Sequence, residues 1–126
     1  MKKILALLSF VLLYSTTIIA QQGDPAAMKE RMKERVKPQL VEQAKISDVQ
    51  ADKVIDIYWD AQMEGRKLRM DASMGDDDKA KKAKEINDAR NKKVKEIPLT
   101  DEQAKAVASF YEEQRKRMQE RRGGGK

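Results

Sequence analysis

Ile46-Ser47-Asp48-Val49-Gln50-Ala51 recurs 53 positions later as Leu99-Thr100-Asp101-Glu102-Gln103-Ala104, and the two stretches read as two copies of one helix start. In each, a hydroxyl residue (Ser47 or Thr100) is placed to cap the helix by accepting from the amide three residues on. The glutamine at that third position (Gln50 or Gln103) can reach back to the cap amide. The preceding Ile46 or Leu99 can staple against Ala51 or Ala104, weakly because alanine is small. Each cap is worth about 1 kcal/mol. The repeat extends to Val54 and Tyr58, which align with Val107 and Tyr111. Taken alone these residues are structural.

Outward from the two starts, helix formers dominate and β-branched runs are scarce, so the fold is expected to be all-α. Glycine, proline and hydroxyl residues divide it into four segments. The first runs from Ala26 to Ala44 behind Asp24-Pro25, with Met28, Met32, Val36, Leu40, Val41 and Ala44 on one face. Pro38 inside it predicts a kink or break between Lys37 and Leu40. The second runs from Ser47 to about Met70 or Ser73, its stripe Val54, Ile57, Tyr58, Ala61, Gly65 and Leu68, with Trp59 at the edge. After a turn at Gly75, Asp76-Asp77-Asp78 open a third segment to Glu96, thin in apolar residues and supported by pairs such as Asp78–Lys82, Lys81–Glu85 and Asp88–Lys92. The fourth runs from Thr100 to about Arg122 with Ala104, Val107, Tyr111, Gln114 and Met118 at seam spacing and Phe110 beside them. Residues 123–126 read as a frayed tail.

Met1-Lys2-Lys3, the apolar run Ile4 to Tyr14, and Ser15 to Ala20 have the order of a secretory signal peptide, with 1–20 removed after Ala20. The apolar stretch is too short for a retained span. Removal of Lys2 and Lys3 leaves 25 basic residues of the original 27 against 21 acidic ones, lowering the formal charge from +6 to +4. That mixed surface does not suit nucleic acid. The remaining helical domain, 21–122, is small enough that oligomerisation would help it.

His and Cys both number 0. Disulfides and Cys or His nucleophiles are therefore absent from the sequence's repertoire, and soft-metal ligation lacks its usual donors. There is no glycine-rich phosphate loop, and neither an enzyme nor a cofactor is expected.

The Leu-Thr-x-x-Gln of Leu99 to Gln103, with the degenerate Ile-Ser-x-x-Gln of Ile46 to Gln50, resembles the LTxxQ-motif (Spy/CpxP-like) family of periplasmic proteins. The resemblance spans roughly Met28 to Met118. It implies two αα-hairpins in a thin, curved layer and a homodimer. It also implies ATP-independent binding of unfolded clients or, in relatives, stress or metal responses. The departures are Ile46-Ser47 in the first copy and the lack of histidine.

Asp48, Asp52, Asp56, Asp60 and Glu64 fall at successive i+4 steps, a spacing at which like charges repel. A basic row on the first helix would offset them, with Lys37 towards Asp56, Lys33 towards Asp60 and Lys29 towards Glu64. A solvated acidic face is an alternative; a calcium-type site is a weaker one, since a straight helix does not wrap an ion.

Six methionines follow the signal segment: Met28, Met32, Met63, Met70, Met74 and Met118. Such flexible thioethers suit surfaces that adapt to varied partners. The residues expected to capture clients are Met28, Met32, Ile57, Trp59, Phe110 and Met118, with Arg66, Lys67, Arg115 and Lys116 steering acidic partners. Those basic clusters have an ordinary reading as charged helix ends. The expected function is client binding in the periplasm, with regulation of one envelope-stress sensor, or a purely structural role, as alternatives.

Overall fold

The computed structural model describes residues 23–124 and shows an all-α chain of four helices: α1 (Pro25–Ala44), α2 (Asp48–Met70), α3 (Asp76–Lys95) and α4 (Asp101–Gly123). Residues 1–20, expected to be a signal peptide, lie outside the described residues, as do 21–22 and 125–126. Gly123 is the last residue of α4, and Gly124 donates its amide to the Glu120 carbonyl.

Each boundary has a local cause. Asp24 accepts from the Ala26 amide through Oδ1 at 3.1 Å and opens α1 ahead of Pro25. Lys45, at φ 55°, turns the chain after Ala44. Ser47 and Thr100 cap α2 and α4. Asp71 Oδ1 accepts from both the amide and the hydroxyl of Ser73, shaping the turn before Gly75. These two bonds, the hydroxyl first, hold the Asp71 carboxyl below its ordinary value.

α1 is continuous through Pro38, and no break occurs there. Pro38 is exposed, so the Glu34 carbonyl that loses its i+4 donor can turn to water. The Gln39 side-chain amide adds a bond to the neighbouring Arg35 carbonyl.

The chain divides at Arg31/Met32, and the core belongs wholly to the part from Met32 onward. It consists of Leu40, Ala44, Ile46, Ala51, Val54, Ile55, Ile97, Val107 and Phe110, with Met32, Val36, Val41, Ile57, Tyr58, Leu99, Ala106 and Tyr111 packed against it. The core therefore lies where the end of α1, the start of α2 and the first half of α4 meet. α3 buries no residue. It packs against α2 and is held by propensity and by pairs such as Lys82–Glu85 and Lys84–Asp88. These differ from the pairings expected for α3, since exposed pairs on a solvated helix differ little in energy.

α1 and α2 run antiparallel, because Lys33 pairs with Asp56 at 2.9 Å and Lys37 with Asp52 at 2.8 Å. Both pairings fall one turn earlier on α2 than the sequence suggested. The physical reason is the tight turn at Lys45: it centres the pairing between Ala44 and Lys45, whereas the expected partners required a centre beyond Ile46.

Candidate binding surface

Each motif closes a full capping box. Ser47 Oγ accepts from the Gln50 amide at 3.1 Å, and Gln50 Oε1 accepts from the Ser47 amide at 2.9 Å. Thr100 Oγ1 and Gln103 repeat this at 3.1 and 3.0 Å. The remaining amide protons of the two glutamines then cross over. Gln50 Nε2 donates to the Pro98 carbonyl at 2.8 Å, and Gln103 Nε2 donates to the Lys45 carbonyl at 2.7 Å. Pro98 and Lys45 each stand two residues before the other copy's cap. The contacts are thus reciprocal, as in an isologous dimer interface, but within one chain.

The same reciprocity continues along the helices. Tyr58 and Tyr111, equivalent in the repeat, stack with ring centroids 3.5 Å apart and planes 5° from parallel. Val54 and Val107 are both fully buried. The copies diverge at Ile55, which is fully buried, against Ala108, which is exposed. Phe110 meets Tyr111 edge to face, and the Arg90 guanidinium of α3 lies 4.8 Å from the centroid of Tyr58.

Around this stack is an open groove of about 290 Å³ between α2, α3 and α4, lined by Tyr58, Arg90, Asn91, Ala108, Tyr111, Glu112 and Arg115. The Tyr111 hydroxyl is buried without a hydrogen-bond partner among the described residues. Burial pushes both phenols above their ordinary value; for Tyr58 the nearby Arg90 charge opposes the rise, and for Tyr111 Tyr58 adds to it. Glu112 is tied to Lys116 at 3.3 Å.

Asp52 and Asp56 meet the lysines of α1, and the bond to Asp52 holds the Lys37 ammonium above its ordinary value. Asp60 and Glu64 line a small cleft of about 60 Å³ with Arg90 and Lys93 of α3. No group of three or more His, Cys, Asp or Glu residues suited to a metal stands among the described residues. Nor is any described helix long and apolar enough to cross a membrane.

The residues expected to capture clients separate. Met28 and Met118 are exposed, at 48% and 53%, and Met70 more so at 74%. Met32 and Ile57 are half-buried against the core, and Trp59 is half-buried. Arg66, Lys67, Arg115 and Lys116 are exposed. Phe110 is 3% exposed and belongs to the core, so its expected place on the capturing surface is corrected: α4 turns this ring inward beside Val107. Sequence reading missed Ile55, Ile97 and Arg90. Ile55 follows Val54 one step outside the assumed stripe, and Arg90 looks like any cation on a solvated helix.

No protein-family model, curated protein or solved structure matches the chain.

Proposed function

We propose that this is an exported, ATP-independent, chaperone-like protein of the LTxxQ type. It would act in the periplasm as a homodimer of paired αα-hairpins, binding unfolded or exposed segments of other envelope proteins. The observation that carries this reading is the exposure of Met70 on α2 and Met118 on α4, helices that also present Arg66 and Lys67, and Arg115 and Lys116, respectively; Met28 is exposed on α1. Methionine adapts its shape to varied apolar side chains, and the cations attract acidic flanks. Binding of this kind requires no catalytic residue and no nucleotide.

The test is suppression of aggregation of several unrelated unfolding proteins at equimolar chaperone, beside sedimentation for oligomeric state. Protection of all of them, reduced by changing Met28, Met70 and Met118 together to serine, is the expected result. Protection of none, with tight binding to one membrane sensor domain, would replace this reading with regulation of that sensor.

A further inference from the structure

We infer that the groove beside the tyrosine stack is a binding site for a carboxylate carried by an acidic peptide segment. Three features converge there. Arg90 and Arg115 bring guanidinium groups to the groove from α3 and α4. The Tyr111 ring lines it as well. The stacked rings of Tyr58 and Tyr111 supply an apolar wall.

Arginine recognises carboxylates through paired donors. Arg115 has no ion pair among the described residues and is exposed. Arg90 is partly engaged already, donating to Asn91 Oδ1 at 3.0 and 3.2 Å. That leaves donors for a singly charged group better than for a dianion, and the Glu112 carboxylate at the groove's edge further disfavours a phosphate. The volume of about 290 Å³ lies at the small end for ligand sites and suits one or two side chains of a peptide.

The chaperone reading bears on this only as the source of the peptide, so the test uses a free peptide. The acetylated tripeptide Glu-Leu-Glu and its counterpart Gln-Leu-Gln are titrated into the chain beginning at Gln21, followed by nitrogen–proton spectra of backbone amides and arginine side chains. The acidic peptide is expected to shift Arg90, Asn91, Tyr111 and Arg115. Its affinity should fall about tenfold in Arg115→Gln, with the melting temperature of that variant unchanged because the side chain is exposed. Equal binding of Gln-Leu-Gln, shifts confined to other helices, or Arg115-dependent binding of phosphatidylglycerol vesicles without binding of the peptide would each overturn the proposal. If clients are protected yet the peptide does not bind, the groove inference fails and the chaperone reading stands. If the peptide binds and no client is protected, the reverse holds.

Discussion

Gln103 donates its side-chain amide to the carbonyl of Lys45 at 2.7 Å, and Lys45 is the described non-glycine residue with positive φ, 55°. The bond ties the start of α4 to the turn between α1 and α2. Glutamine suits this position because it both accepts and donates: Oε1 takes the Thr100 amide while Nε2 reaches Lys45. A carboxylate could do only the first. Gln103→Glu is therefore expected to lower unfolding stability by about 1–2 kcal/mol, since the Lys45 carbonyl loses its donor and gains a charge beside it. Urea denaturation of Gln50→Ala, Gln103→Ala and the double variant should also give non-additive losses, because both bonds hold the same two turns together.

Lys45 itself offers a stabilising change. A β-carbon at left-handed φ costs about 1 kcal/mol relative to glycine. Lys45→Gly should recover much of this, while the Gln103 bond is kept because it uses the main-chain carbonyl. A thermal melt that moves down would show that the lysine side chain matters to the turn.

Gly65 invites the opposite substitution. It sits inside α2, and a β-carbon there would meet only the Arg69 guanidinium, at an ordinary 3.6 Å. The close helix approach that could have required glycine is absent at this position. Gly65→Ala should stabilise by about 0.5–1 kcal/mol through helix propensity, measurable as a rise in denaturant midpoint with an unchanged slope.

Core and surface should separate cleanly. Leu40 and Ile55 are fully buried. Truncating either to alanine should cost about 2–5 kcal/mol. Val49 lies nearby at 65% exposure, and Val49→Ala should change stability by no more than about 0.5 kcal/mol. Equal losses at Val49 and Ile55 would contradict the placement of the core.

The tyrosine stack makes an alkaline prediction. In a chain beginning after Ala20, Tyr58 and Tyr111 are the tyrosines that remain. Both are raised above the ordinary phenol value of 10.0 by burial. Folded protein holds its protons where unfolded chain releases them, so the contribution is complete below pH 10 and declines as pH rises towards the folded values. Melting temperature should fall with increasing pH in that range, less steeply in Tyr111→Phe, and tyrosinate absorbance should appear above the ordinary range.

Much of the architecture is carried by local chemistry. Ser47 with Gln50, and Thr100 with Gln103, specify where α2 and α4 begin, because cap and back-cap lie three residues apart and need no distant partner. The turn at Gly75 and the all-α character follow similarly from composition and spacing. Tertiary structure decided which face of each helix is covered and by what. Ile55 and Phe110 became core, Lys37 paired with Asp52 rather than one turn further on, and Arg90 came to lie over Tyr58. Helical periodicity places residues on a face, but a contact needs the register of a second helix. Here the turn at Lys45 and the two crossed glutamine bonds set the register where the core lies.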